Sequence, residues 1–231
     1  MAKIMFGQGV AEMRGSNAGN TFSRNRGGAY SRNRVTPLNP QSERQTSVRN
    51  SMTELTTAWS SALTQNQRDA WTSLGVAFPT TDVFGAAIVL SGLQMYVRQN
   101  TTLLQAGLVR IDDAPVNLDV ESLLTFTLAV DVSDGDFDVT FTPTPLAAGS
   151  RLQLFATPAI SPGISYVKNK LRLLSTEADA TASPLEVSAT WMALFGSFPV
   201  AGQKVVFEGR VINEANGTVS SRLQAAAIVT A

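Results

Sequence analysis

Residues 22–34 hold a pentad and its near copy, Phe22-Ser23-Arg24-Asn25-Arg26 and Tyr30-Ser31-Arg32-Asn33-Arg34, joined by Gly27-Gly28-Ala29. Two short polar-aromatic runs either side of a Gly pair predict a β-hairpin, because Gly reaches the φ > 0 that a tight turn needs. Loop length then decides where the arginines go. A two-residue loop at Gly27-Gly28 would set Arg26 opposite Ala29 and Arg24 opposite Ser31, dividing the arginines two to a face. A three-residue loop at 27–29 would set Arg26 opposite Tyr30, Arg24 opposite Arg32 and Phe22 opposite Arg34. All four arginines would then share one side with Phe22 and Tyr30. Like charges facing each other cost stability unless an anion lies between them. Either ribbon has almost no apolar face, and isolated two-stranded ribbons are marginal in water. It needs a surface to lie on.

Composition sharpens that point. Lys+Arg and Asp+Glu balance at 18 each, yet residues 1–50 carry eight Lys/Arg against two Asp/Glu, and residues 51–231 ten against sixteen. A basic arm on an acidic body marks an interacting tail. The apolar content is ample for a core in a chain of one or two domains. No run of eighteen apolar residues occurs, so no membrane span is expected, and the stretch 1–7 is too short in apolar length to read as a secretory signal. Cysteine is absent, so no disulfide staples the fold, in keeping with assembly in a reducing cytosol. With neither His nor Cys, the chain holds no Ser-His-Asp or Cys-His pair and no thiolate or imidazole metal site.

Along the chain three segments are expected: an extended basic arm with the hairpin over 1–38, a helical domain over 39–114, and an antiparallel β-sandwich over 115–231. The fold class is α+β. Asn39-Pro40 reads as a helix start, followed by an apolar stripe of Val48, Met52, Leu55, Trp59 and Leu63. Thr64 to Gln67 has capping-box spacing and opens a second helix with Trp71 and Leu74, ended by Gly75. Ser91 to Gln94 repeats the box before a third helix with Tyr96, Val97, Leu103 and Leu104, closed by Gly107. From about residue 116 the period becomes two. Candidate strands are 116–121, 123–132, 136–142, 151–157, 164–174, 186–193, 203–213 and 218–230, the last two joined by an Asn216-Gly217 hairpin. Seven or eight short strands point to an immunoglobulin- or fibronectin-like sandwich, without a Cys…Trp…Cys pattern.

Most other motifs have plain readings. Gly7-Gln8-Gly9 with Gly15 lacks the spacing of a nucleotide-binding loop and reads as part of the arm. Asp131, Asp134, Asp136 and Asp138 surround Gly135 without the order of a calcium loop, and read as an acidic β-turn. Asn216-Gly217-Thr218 matches a glycosylation acceptor but reads better as the hairpin turn. Trp59, Trp71 and Trp191 read as core. No cofactor or metal is expected, and no catalytic residue, since the acidic residues cluster at turns rather than as a pair held across a cleft.

That leaves Phe22, Arg24, Arg26, Tyr30, Arg32 and Arg34 as the partner-binding candidates. Arginine forks suit carboxylates on an acidic protein surface, and a ribbon can add edge to edge. Nucleic acid is the competing partner, with arginines on phosphates and the two aromatics as stacking faces. A local excess of six charges against an acidic body is a thin footprint for nucleic acid. Protein docking is the favoured reading.

The arm Phe22-Ser23-Arg24-Asn25-Arg26-Gly27-Gly28-Ala29-Tyr30, with Arg32-Asn33-Arg34-Val35-Thr36-Pro37 and Asn39-Pro40-Gln41, resembles a family encoded by tailed bacteriophages and prophages. The likeness continues through Trp59, Gln67-Arg68, Trp71, Phe78-Pro79, Thr81 to Gly85, Ser161-Pro162-Gly163 and Pro199 to Gly202, and so covers most of the chain. It implies a virion or virion-associated setting, with assembly in the host cytoplasm, and it carries over no catalytic residues. The expected role is a non-enzymatic capsid decoration or cement protein, multi-copy or homo-oligomeric, docked on the major capsid protein or another virion protein and not on a membrane. A tail, neck or fibre component is the alternative, and a nucleic-acid-binding packaging protein the second.

Overall fold

The structure, a computed structural model, describes residues 2–25, 28–36, 38–81, 85–131 and 135–229. The fold is mixed α+β, with four helices and several antiparallel sheets among the described residues. It divides into two compact units, Met1–Thr46 and Ser47–Ala231. The helical segment and the C-terminal strands therefore lie in one unit.

Among its described residues the first unit holds a four-stranded antiparallel sheet of β1 (Ala2–Lys3), β2 (Gly15–Asn17), β3 (Asn20–Asn25) and β4 (Gly28–Asn33), in the order β1-β4-β3-β2. The expected hairpin forms, but as the centre of a sheet rather than within an extended arm. None of its described residues is buried.

The boundary between the units falls within α1 (Glu43–Ser61), which starts later than Asn39-Pro40 predicts. Gln41 adopts φ 46°, a left-handed conformation that no helix continues through, and its N–H donates to the Asn39 side chain at 3.4 Å. Asn39 thus caps a turn. Leu55 is buried on the predicted stripe, whereas Val48 and Met52 are exposed. The other two helix starts form as the spacing requires. In α2 (Gln65–Ala77) the Gln67 side chain accepts from the Thr64 N–H at 2.8 Å, and in α3 (Gly92–Gln105) Gln94 accepts from Ser91 at 2.9 Å. Gly75 does not end α2. It lies inside the helix, where a Cβ would collide with the Leu90 carbonyl. Gly107, at φ 74°, does close α3: its N–H reaches Leu104 at 3.1 Å and that of Leu108 reaches Leu103 at 2.9 Å, a Schellman pattern. Two short strands, β5 (Thr80–Thr81) and β6 (Ala87–Ile88), pair between α2 and α3. Leu55, Leu63, Trp71, Leu74, Met95 and Tyr96 form the helical core.

The remaining elements are β7 (Thr125–Asp131), β8 (Asp136–Thr142), β9 (Ser150–Ala156), β10 (Arg172–Ala178), β11 (Leu185–Glu186), α4 (Ser188–Phe195), β12 (Lys204–Asn213) and β13 (Leu223–Ile228). They form two antiparallel sheets, β11-β8-β7 and β10-β9-β12-β13. One apolar core serves both: Phe126, Phe137, Val139 and Phe141 from the first, Leu152, Leu154, Val205, Phe207 and Val211 from the second, with Trp191.

Several strand expectations are corrected. Residues 116–121 form no strand. The strand expected over 164–174 begins at Arg172, because Ile164 and Val167 are drawn off to cover Val206 as a loop. The segment 186–193 is largely helical, since α4 lets the Trp191 ring enter the core while its N–H reaches the Thr157 carbonyl at 3.0 Å. The Asn216-Gly217 turn is wider than two residues: Asn213 and Thr218 pair at 3.0 Å around a loop of 214–217. No described helix is long and apolar enough to cross a membrane.

Candidate docking surface

The sheet of the first unit is held by register rather than by a core. In the β3–β4 ladder Asn20 faces Asn33, Thr21 faces Arg32, Phe22 faces Ser31, Ser23 faces Tyr30 and Arg24 faces Ala29. Neither expected register is therefore correct. Asn25 pairs with Gly28, so the two connecting positions are Arg26 and Gly27, which lie outside the described residues. In this register Arg24 meets Ala29 and Arg32 meets Thr21, so the Arg24–Arg32 repulsion of the three-residue register does not arise.

Alternation along the strands places Phe22 and Arg24 on one face and Tyr30 and Arg32 on the other. Arg24 and Arg32 are thus separated as the two-residue-loop reading expects, while Arg26 lies outside the described residues. Arg34 follows β4, its N–H bonded to the Gly19 carbonyl at 2.7 Å. Lys3, across from Tyr30, adds a further cation to the Tyr30–Arg32 face. On the outer side of β3, strand β2 pairs Gly15 with Phe22 and Ser16 with Thr21, whose hydroxyls meet at 3.0 Å. These edge strands escape a sequence reading, because Gly15-Ser16-Asn17 and Ala2-Lys3 carry no apolar alternation.

The two faces differ in charge compensation. Arg24 lies 3.7 Å from the Glu12 carboxylate, which Arg14 also holds at 3.0 Å. Arg32 and Arg34 are exposed and form no ion pair among the described residues. Phe22 and Tyr30 are half-buried. The structure thus brings Tyr30 and Arg32 to one face and sets Phe22 with Arg24 on the other, while Arg26 is not described.

Elsewhere, charged groups serve the fold. Asp112 accepts from the Tyr96 hydroxyl at 3.3 Å and from Arg110 at 3.0 Å, and Arg110 also faces Glu54 at 3.8 Å. Burial, then the Asp112 charge, pushes the Tyr96 hydroxyl up to about 12. Arg210 and Arg222 flank the Phe155 ring at 5.2 and 4.6 Å; Arg210 grips Gln153 at 2.7 Å and Arg222 pairs with Glu208 at 3.1 Å. Burial, then the Arg222 charge, brings Arg210 down to about 10. In the acidic turn Asp131 faces Asp136, and Asp134 lies outside the described residues. Among the described residues no three His, Cys, Asp or Glu side chains gather as a metal site. Asn216 is buried, its amide bonded to the Asn117 and Asp119 carbonyls, so a glycan has no access to it.

Comparison with protein-family models, curated proteins and solved structures finds no match for this chain.

Proposed function

We propose that the chain is a non-enzymatic structural protein of a bacteriophage virion, a capsid decoration or cement protein docked through its N-terminal sheet on the major capsid protein or another virion protein. The observation that carries the reading is a four-stranded sheet with no buried residue, displaying Arg32 and Arg34 without ion-pair partners among the described residues. Sheets gain stability by burying a face, and exposed arginines match carboxylates in bidentate pairs. A particle surface supplies both, and repetition over many copies turns weak contacts into stable attachment. The phage-family likeness of the arm points to the same setting.

The C-terminal body is proposed to be an immunoglobulin- or fibronectin-like sandwich facing outward. Strand order supports this. Of the seven strands among its described residues, the first, second and fifth form one sheet and the third, fourth, sixth and seventh the other. That differs from the constant-type immunoglobulin arrangement only in the fourth strand, which lies beside the third.

Mass spectrometry of separated heads and tails tests the assignment. Recovery in heads at high copy number is expected, and recovery solely in tails would overturn it. Arg32→Glu with Arg34→Glu should abolish incorporation while leaving the body folded. Filter binding at low ionic strength should show no salt-sensitive affinity for DNA; strong binding lost on those substitutions would favour a packaging protein instead.

A further inference from the structure

The second unit is acidic overall, yet its acids are unevenly placed. Neither 139–176 nor 187–207 contains an Asp or Glu, although these stretches hold Arg151, Lys168, Lys170, Arg172 and Lys204. They meet where the start of β10 lies beside the end of α4. There they wall a concavity of about 480 Å³, lined by Pro158, Asn169, Lys170, Arg172, Leu194 and Phe195. The volume suits a small-molecule ligand.

The lining is preorganised. One Arg172 nitrogen donates to the Asn169 carbonyl at 3.1 Å and to the Leu171 carbonyl at 2.9 Å, fixing the guanidinium at the rim. Phe195 lies against Trp191 with ring centroids 5.1 Å apart, and Trp191 is locked to Thr157. Lys170 and Arg172 form no ion pair among the described residues. Two cationic residues, Lys170 and Arg172, thus line a hollow whose other lining residues are Asn169 and the apolar Pro158, Leu194 and Phe195. The carbonyls at the end of α4 carry partial negative charge, which two full cations outweigh.

We propose that this concavity binds an acidic sugar residue, a pyranose ring bearing a carboxylate. The carboxylate would take the Arg172 fork and the Lys170 charge. The C–H face of the ring would lie on Phe195, Pro158 and Leu194, and Asn169 would meet a hydroxyl. The concavity shares no residue with the N-terminal sheet.

The test is amide chemical-shift mapping on the full chain with a glucuronate-containing tetrasaccharide, its glucose counterpart and inorganic phosphate, each to about 10 mM, which reads the millimolar affinity of a single shallow site. Saturable shifts centred on Asn169, Lys170, Arg172 and Phe195 with the acidic sugar alone are expected. Lys170→Ala should weaken them about tenfold, as loss of a charge-assisted contact does. Its unchanged spectrum elsewhere would show the fold intact. Equal shifts with the neutral sugar, identical shifts with phosphate, or no shift at all would each overturn the proposal, as would undiminished binding by Lys170→Glu.

Discussion

Two glycines with nearly the same backbone separate strain from collision. Gly107 has φ 74° and open space where a Cβ would stand. Gly217 has φ 70°, but a Cβ there would drive into the Gln99 backbone of α3. Gly107→Ala should cost about 1–2 kcal/mol, the penalty of a left-handed L-residue. Gly217→Ala should cost about 3–4 kcal/mol, since a helix and a turn must part. Urea unfolding of both variants reads the difference, and equal losses would mean that the turn yields freely. Titration gives a second test. The Tyr96 hydroxyl keeps its proton to about 12 in the folded chain. Its contribution is thus whole below pH 10 and lost as pH rises through about 12. Arg210 is lowered to about 10, so the unfolded chain holds that proton more tightly and the native state gains as pH climbs above 10. The two effects oppose. Tyr96→Phe should therefore lose less stability than the native chain between about pH 10 and 12, by about 1–2 kcal/mol after solvent screening. Arg210→Gln should steepen the loss, and parallel melting-temperature curves against pH would refute both assignments.

At the scale of elements, local hydrogen bonding decides what a sequence discloses. Thr64→Ala removes the acceptor for the Gln67 N–H and should cost about 1 kcal/mol, measured as a fall in urea midpoint at constant slope. That box and the one at Ser91 were legible because every atom that builds them lies within four residues. The alternation in 136–142 was legible for a similar reason, its Phe137, Val139 and Phe141 facing the core while 204–213 is buried on both faces. The failures have non-local causes. Residues around Trp191 read as a strand, yet the hydrogen bond from its indole to Thr157, thirty-four positions away, favours a helix. Residues 164–170 read as a strand and instead leave the ladder to cover Val206. The hairpin was legible in the arm, but its register was not. Glycine identity left turns at Gly27-Gly28 or over 27–29, whereas in the sheet with β1 and β2 Asn25 pairs with Gly28 and Arg24 with Ala29. The lining of the acid-free concavity was equally hidden, because it joins β10 to α4 across sequence.

Over the whole molecule, stability is unequally shared. The second unit buries Trp71, Trp191, Tyr96, Phe137, Phe141 and Phe207 completely, while the first buries no described residue. Ordering a backbone residue costs about 1–2 kcal/mol, and among the described residues of the first unit ladder hydrogen bonds, the exposed Glu12 ion pairs and half-buried side chains offset it. Its opening free energy should therefore lie near the low end of the range in a folded protein. Amide exchange in the free chain is expected to be fast in β3 and β4 and slow in β9 and β12. Trypsin should cut after Arg24, Arg32 and Arg34 before any site in the second unit, since cleavage follows the population of the open form. Removing residues 1–38 should leave the melting temperature of the remainder nearly unchanged. On an assembled particle the same amides should become protected, because the partner supplies the buried face that the sheet lacks. If β3 and β4 in the free chain exchange as slowly as β12, the sheet is stable without a partner, and the physical reason for docking it on a virion disappears.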